Sequence, residues 1–378
     1  FVATSLSATS VAVVQPSAAR PDGAAASGGP GSAADTVRTV EVPCGGTWGV
    51  VFADTRGAAV VTCPQDARVV VVDADVDRNA VRATIAFDGR PTAIAVADGR
   101  VWVTDSAGGR VRSAPVADLL RRRDAPWALA TVAWRDEALP VASGRTASTA
   151  DALAFVGGQP IVAFQSVEND GDRDRPPVDG AYGAVVDGSP RFEPRLSGPC
   201  DGGYARFDGR ERVFSGPAAV ASAGGYVWVV HMFTRNVAVL RCEPGVDGLL
   251  PLVASFRVGH GARGLVLGDD GRRAWVDVGF DHAVARLELP ESPAFEAAAA
   301  ATQRREVTPS LSPRAQAGRR RFHDATDPQL TPSGVVACAG SCTRRTSRAN
   351  CGARLWHGRS RPASGSTGTV RSRRATRW

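Results

Sequence analysis

A repeated two-strand unit, in which a tryptophan stands eleven positions after a proline or glycine, constrains the fold of this chain most strongly. The spacing occurs three times, in the pairs Pro91/Trp102, Pro217/Trp228 and Gly264/Trp275, and weaker copies begin at Trp48 and Asp151. Each copy contains a short run rich in Val and Ala, a turn with Gly or Asp, and a second short run. Such runs and turns are typical of strand–turn–strand units.

The spacing between copies indicates how these units assemble. Adjacent copies start 43 residues apart (48 to 91) and 47 residues apart (217 to 264), which is the period of a four-stranded propeller blade. The intervals from 91 to 151 and from 151 to 217 are longer and contain insertions or a degenerate extra blade. We therefore predict an all-β fold, a β-propeller of five to seven four-stranded blades. A β-sandwich is the rival fold, and the period near 45 argues against it.

Two features of the repeat carry structural expectations. We interpret the repeated tryptophans as core packing between blades. The last copy has only three obvious strands, and the isolated run at residues 36–42 can supply the missing outer strand and close the ring.

The distribution of charge argues against a nucleic-acid partner, although the whole chain has a formal charge of +7. After Asp327 there are 10 Arg and no acidic residue; the preceding 327 residues hold the other 35 Arg and all 38 acids, which gives 35 − 38 = −3. The basicity therefore belongs to the tail. The chain has no Lys, which we interpret as GC-rich coding DNA rather than selection for Arg chemistry.

The N-terminal region and the cysteines bear on localisation. Residues 1–35 are rich in Ala, Ser, Gly and Pro, and we predict a flexible leader, with the remains of an export signal as one interpretation. No apolar run reaches the ~18 residues of a transmembrane helix. Cys44/Cys63 and Cys200/Cys242 are either disulfides of an oxidising compartment or buried free thiols.

Three patterns in the main body resemble functional motifs, and each has a plainer interpretation. Residues 259–264 spell GxGxxG, but a strand rather than a helix is expected to follow, which favours a blade junction over a dinucleotide site. The DxDxD run at residues 170–174 lacks the Gly and Glu of a calcium loop. His231, His260 and His282 stand near strand ends, where they could meet at one propeller face. We predict no catalytic set and no metal site in the body.

The body resembles a known class of proteins through its strand motifs. The stretch from Pro91 reads PTAIAVADGRVWVTD and residues 67–73 read ARVVVVD. This pattern resembles the YVTN/YncE-type propellers of exported bacterial proteins over roughly residues 38–290. The resemblance implies a propeller and says little about chemistry.

The C-terminal part lacks the strand repeat and has a different sequence pattern. Ser312 followed by Pro313 predicts the N-cap and first position of a short helix. The order and spacing of ten residues resemble the opening of a cytochrome c-like domain, as fused to such propellers and found in di-haem peroxidase relatives: Leu311, Ser312, Ala315, Gly318, Phe322, Leu330, Gly334, Val336, Cys338 and Cys342. This resemblance implies haem c attachment through Cys338 and Cys342. The chain departs from the pattern, because the spacing is CxxxC and Thr343 stands where the iron-ligating His is expected.

The residues after Cys342 have no acids and no periodicity, and we predict a mostly disordered Arg-rich tail. One hypothesis is an out-of-frame reading of GC-rich DNA, since a single inserted base in plausible codons restores Cys-His. The alternatives are a genuine Arg-rich tail that binds an anionic surface and a metal site formed by the tail cysteines with His357.

The predicted organisation is a leader at 1–35, a propeller at 36–292, a linker with a short helix at 293–332 and a cytochrome c-like start with its tail at 333–378. By resemblance, the function is that of an exported haem c-type protein in electron transfer or peroxidase-like oxidation, with a redox partner. Thr343 argues against haem binding by this exact chain. The alternative is a non-enzymatic propeller scaffold that binds a protein partner on one face. The expected location is the periplasm or cell surface.

Overall fold

The structure of the 378-residue chain is a computed structural model. The structure describes residues 2–4, 10–15, 36–54, 57–73, 81–121, 125–141, 145–168, 185–186, 189–190, 192–204, 206–207, 210–211, 214–243, 249–304, 311–327 and 337. The described part belongs to one compact unit, Phe1–Gly340; the second unit, Ser341–Trp378, lies outside the described residues.

The first three sheets lie within the first 138 residues of the chain. Sheet 1 contains β1 (Val2–Thr4), β2 (Ser10–Gln15) and β3 (Thr36–Glu41). Sheet 2 begins with β4 (Val50–Phe52), β5 (Ala58–Cys63), β6 (Arg68–Asp73) and β7 (Val81–Ala86). Sheet 3 begins with β8 (Pro91–Ala97), β9 (Arg100–Asp105) and β10 (Arg110–Pro115), after which come helix α1 (Val116–Leu120), β11 (Leu129–Ala130) and β12 (Arg135–Ala138). β11 returns to pair in parallel with β7, and β12 completes sheet 3 beside β10.

The remaining sheets follow in chain order. Sheet 4 contains β13 (Arg145–Val156) and β14 (Gln159–Glu168) and, after a hairpin of β15 (Val185–Val186) and β16 (Ser189–Pro190), β17 (Phe192–Leu196) and β18 (Gly202–Gly203). A second hairpin, β19 (Arg206–Phe207) and β20 (Arg210–Glu211), leads to sheet 5 with β21 (Pro217–Ala223), β22 (Tyr226–His231), β23 (Asn236–Arg241) and β24 (Leu252–Arg257). Sheet 6 contains β25 (Ala262–Leu267), β26 (Arg273–Val278) and β27 (Ala283–Glu288). β28 (Ala294–Ala297) joins sheet 5, β29 (Ala301–Arg304) joins sheet 6, and helix α2 (Pro313–Phe322) follows.

This architecture is an all-β propeller, as the repeat predicts. The innermost strands of sheets 2 to 6 contact one another in sequence order, in the series β4, β8, β13, β21 and β25. Sheets 2 to 6 have four or five strands each and sheet 1 has three, so six sheets of three or more strands are described, besides the two two-stranded hairpins. That number lies within the predicted range of five to seven.

Valine runs form the central strands of sheet 2 because this sheet is buried on both faces. In β5 and β6, Val61, Val70 and Val72 pack toward sheet 1, in a core with Val11 and Val40. The alternate residues Val60, Val69 and Val71 pack toward sheet 3, in a core with Val101 and Val103. A strand that buries both faces reads as a continuous apolar run, and β-branched side chains suit that environment.

The repeated tryptophans pack between sheets in two of three cases. Trp228 is fully buried, stacks on Phe256 and donates its Nε1–H to the Gly271 carbonyl of sheet 6 at 3.0 Å. Trp102 contacts Phe155 of sheet 4 edge-on. Trp275 differs: it is 39% exposed, beside a Val266 that is 64% exposed, because none of the described sheets covers that face of sheet 6.

Three boundary expectations differ from the structure. Residues 2–4 and 10–15 of the predicted flexible leader are strands, and the strand at residues 36–41 pairs with β2 instead of closing sheet 6. The fourth strand of sheet 6 is β29, which pairs antiparallel with β27. Sheet pairing therefore continues past residue 292 to Arg304, into the segment predicted as linker, because β28 and β29 satisfy edges that sheets 5 and 6 would otherwise expose.

The four body cysteines form two disulfides, Cys44–Cys63 and Cys200–Cys242, with Cα–Cα distances of 5.6 and 4.7 Å. These distances lie in the ordinary range for a disulfide. Among the described residues, no helix is long and apolar enough to cross a membrane.

Candidate functional site at the seat of the C-terminal helix

Several residues singled out from the sequence lie outside the described residues. They are Leu330, Gly334 and Val336 of the cytochrome c-like pattern, the predicted haem thiols Cys338 and Cys342, Thr343, His357 and the DxDxD run at residues 170–174. The GxGxxG segment is described: it forms a turn that leads into strand β25, as the blade-junction interpretation expects. Among the described residues, no group of three or more His, Cys, Asp or Glu side chains is arranged to hold a metal ion.

The three histidines expected near one face have separate partners. His231 is fully buried, and its Nε2 lies 3.0 Å from the Tyr204 hydroxyl. Burial lowers the pKa of His231 to about 3 and raises the pKa of Tyr204. His231 is therefore a neutral core histidine, while His260 and His282 lie where helix α2 meets the propeller.

Helix α2 begins where the sequence predicts. Ser312 is the N-cap, and its Oγ accepts a hydrogen bond from the Ala315 N–H at 3.3 Å. Pro313 occupies the first helical turn, where a missing N–H leaves no hydrogen bond unmade.

One row of α2 binds the propeller through polar contacts. Gln316 Nε2 lies 2.9 Å from His282 Nε2. One turn later, Arg320 Nη2 lies 2.9 Å from Asp281 Oδ1 and donates to the Phe280 carbonyl at 3.2 Å. The Arg319 guanidinium stands 4.0 Å above the centre of the Phe280 ring. The helix is thus fixed by charge and aromatic contacts, and none of its own residues is buried.

The residue after the helix completes its attachment. His323 contacts the rings of Phe280 and Phe233 at centroid distances of 5.0 and 6.3 Å. Burial, together with the charge of Arg319, lowers the pKa of His323 to about 4. A neutral imidazole can pack against two aromatic rings without the cost of burying a charge.

A cluster of charged side chains lies beside His323. His260 donates its backbone N–H to Asp281 Oδ2 at 2.7 Å, and its Nε2 lies 3.1 Å from Arg235 Nη1. Asp324 lies 3.5 Å from Arg235 Nε and 3.7 Å from His260 Nε2. Of these residues only His260 is indicated by the sequence, because the contacts join residues up to 89 positions apart and leave no local signal.

The opposite row of α2 faces solvent. Leu311 is 39% exposed and Phe322 is 43% exposed, and Ala315 and Gly318 between them are also exposed. Ala315, Gly318 and Phe322 are spaced by three and four positions, which places them on one face of the helix, and Leu311 directly precedes the N-cap Ser312, so that the row comprises these four residues. They are also four of the residues on which the cytochrome c-like resemblance rests.

A cavity of about 460 Å³ opens next to the charged cluster. The end of β24, sheet 6, the β28–β29 segment and Arg320 of helix α2 line it. This end of sheets 5 and 6 therefore combines a bound helix, an ion-pair cluster and a cavity.

No protein-family model and no curated protein sequence matches the chain. Similar solved structures include a Kuenenia stuttgartiensis hydrazine synthase, with a TM-score of 0.43 and 13% identity over 67% of this chain and 86% of the other. A streptogramin B lyase has a TM-score of 0.40 and 10% identity over 66% of this chain and 67% of the other. Kluyveromyces lactis Hsv2 has a TM-score of 0.39 and 10% identity over 74% and 76%. These low identities and scores support no conclusion about activity or partner, and the fold of this chain rests on its own strand pairing.

Proposed function

We propose that this chain is a non-enzymatic β-propeller scaffold that binds a protein partner through helix α2. The observation that carries the proposal is the division of the helix into two rows. The row of Gln316 and Arg320 is bound to the propeller, while Phe322 on the other face and Leu311, directly before the N-cap, are exposed. The propeller thereby presents an apolar helix face in a defined orientation.

The chemistry of the exposed row indicates the partner. Ala315 and Gly318 lie between the two large side chains, and small residues let a second helix approach closely. A Cβ placed on Gly318 would meet no atom within 4 Å. Helix α2 contains four Arg and no acidic residue. The partner we propose is therefore an amphipathic helix with an apolar face and acidic flanks.

Site-specific photo-cross-linking in the native cells tests this proposal. A cross-linking amino acid at Phe322 should yield one discrete adduct, and the same group at Arg286 on sheet 6 should not. Adding Gly318→Arg should abolish the adduct, because the long side chain separates the helices. Absence of an adduct at position 322, or the same adduct at position 286, would contradict the proposal.

A haem c-type electron-transfer function is the second candidate, and it rests on the coincidence of the exposed row with the cytochrome c-like positions. The donor set does not fit haem fully. Cys338 and Cys342 supply thiols for attachment, but the Thr343 hydroxyl is a poor iron ligand. A haem-stained denaturing gel separates the candidates: a covalent haem band would support this function, and a colourless chain would exclude it.

Export to the periplasm or cell surface belongs to the same proposal. The two body disulfides support it, since such bonds persist in oxidising compartments. Cell fractionation followed by thiol labelling checks it: body cysteines that react without reduction, in a cytoplasmic fraction, would contradict export.

A further inference from the structure

We infer that the cavity between sheets 5 and 6 is a binding site for a small organic anion, a carboxylate or phosphate ester with an apolar body. Its volume of about 460 Å³ lies within the range of small-molecule sites, roughly 300–1,000 Å³. The cavity lies behind Arg320, on the propeller side of helix α2, and is separate from the exposed row of that helix.

The inner lining is apolar. It consists of short aliphatic side chains from four segments, namely Val258, Val278, Ala283, Ala285 and Ala299. These small side chains create the space, since the register places Ala283 opposite Arg304 and Ala285 opposite Thr302. A ligand in this space would contact hydrocarbon on several sides and one hydroxyl, that of Thr302.

The charged lining is predominantly cationic. Arg257, Arg304 and Arg320 line the cavity together with a single carboxylate, Asp281. Asp281 is already engaged by the His260 backbone N–H and by Arg320 Nη2, at 2.7 and 2.9 Å. The site therefore has an excess of two positive charges when His260 is neutral.

Two of the guanidinium groups have no partner within the part of the chain that the structure describes. Arg257 and Arg304 form no ion pair or side-chain hydrogen bond there. Both are exposed and stand at the ends of β24 and β29, on neighbouring sheets. The Nε of Arg320 is buried and has no hydrogen-bond acceptor among the described residues. Donors in this number, around an apolar cavity, suit the two or three oxygens of a carboxylate or phosphate group.

Saturation-transfer NMR on the full chain tests the inference with three probes of similar shape: benzoate, phenyl phosphate and the neutral benzamide. We expect benzoate or phenyl phosphate to bind and benzamide not to bind, and the stronger anion identifies which group the site prefers. Arg257→Gln and Arg304→Gln should each weaken anion binding about tenfold, the effect of losing one charged hydrogen bond.

Two further variants keep the test decisive. Ala299→Leu should abolish binding by filling the cavity while all charges remain. Arg286→Gln, an exposed change on the same sheet outside the cavity, should leave the affinity unchanged. If neither anion binds the wild-type chain, or if the Arg257, Arg304 and Ala299 variants bind as it does, the inference is wrong.

Discussion

Gly216 and Gly261 occupy equivalent positions, each directly against one of the two phenylalanine rings that contact His323. Gly216, just before β21, has φ +70°, and a Cβ there would overlap the ring of Phe233. Gly261, just before β25, has φ +71°, and a Cβ there would overlap the ring of Phe280. Consecutive blades thus place a glycine and a phenylalanine at corresponding positions. Two copies of the sequence repeat therefore supply Phe233 and Phe280, the two rings against which His323 packs at the end of helix α2.

Gly261→Ala should destabilise the chain by about 2 kcal/mol or more, because it combines an unfavourable φ with a clash against Phe280. Gly225→Ala is the matched control: φ is +78° there, but a Cβ would meet no atom within 4 Å. For this control we expect the free energy of unfolding to fall by only about 1 kcal/mol, which is the effect of the unfavourable φ alone. Urea unfolding of both variants measures the difference, and equal losses would show that the ring imposes no constraint.

Buried His231 should make stability depend on pH. Its folded-state pKa of about 3 lies below the ordinary 6.5, so the unfolded chain takes up the proton first as the pH falls. Stability is therefore fully retained above pH 6.5 and declines toward pH 3, by at most about 1.4 kcal/mol per pH unit.

The double variant Tyr204→Phe/His231→Phe removes both partners of this hydrogen bond and should flatten that decline. Urea unfolding at several values between pH 7 and pH 4.5 measures the slopes. Tyr226→Phe, which also removes one tyrosine hydroxyl, should keep the wild-type slope. Parallel curves for the wild type and the double variant would show that His231 does not titrate as the burial implies.

At the scale of the element, helix α2 depends on Arg320 for its attachment. Arg320→Gln removes the ion pair with Asp281 and should accelerate amide hydrogen exchange across α2 while β25 to β27 keep their protection. Arg314→Gln, an exposed change on the same helix, is the matched control. If both variants exchange alike, the ion pair does not hold the helix.

Elements were predictable from the sequence where local chemistry determines them. Ser312 and Pro313 define the start of α2 because capping is a contact between near neighbours. The Val-rich strands were predictable because a two-faced core requires continuous apolar runs. Most of the charged cluster beside His323 was not predictable, because residues such as Arg235 and Asp324 are far apart in the sequence and come into contact only in the folded chain. The strands at residues 2–4 and 10–15 were missed because their Ala- and Ser-rich surroundings indicate a flexible leader.

At the scale of the whole molecule, buried polar contacts link successive sheets. The Thr62 hydroxyl donates to the Thr92 carbonyl at 2.7 Å, joining sheets 2 and 3. The Thr92 hydroxyl lies 3.1 Å from the Ala150 carbonyl, which joins sheets 3 and 4. Gln165 then donates to Ser215 at 3.0 Å, at the approach to sheet 5. These directional contacts fix the position of each sheet against the next, which apolar packing alone does not.

Thr92→Val keeps the shape of the side chain but leaves the Thr104 hydroxyl and the Ala150 carbonyl without this partner. We expect a loss of about 1–3 kcal/mol in the free energy of unfolding. Thr131→Val, at an exposed position, should change it by less than about 0.5 kcal/mol. Denaturant titrations compare the two, and a neutral Thr92→Val would show that the sheets are aligned by packing alone.

The β28–β29 segment contributes one strand to sheet 5 and the next to sheet 6. It therefore determines where a recombinant chain can be truncated without removing a strand from either sheet. A recombinant chain ended at residue 292 would lose the outer strand of both sheets in one step. Two unprotected strand edges would then be free to pair between molecules, and such material tends to precipitate on overexpression. A fusion partner or purification tag is better joined beyond Arg304, where both sheets are complete.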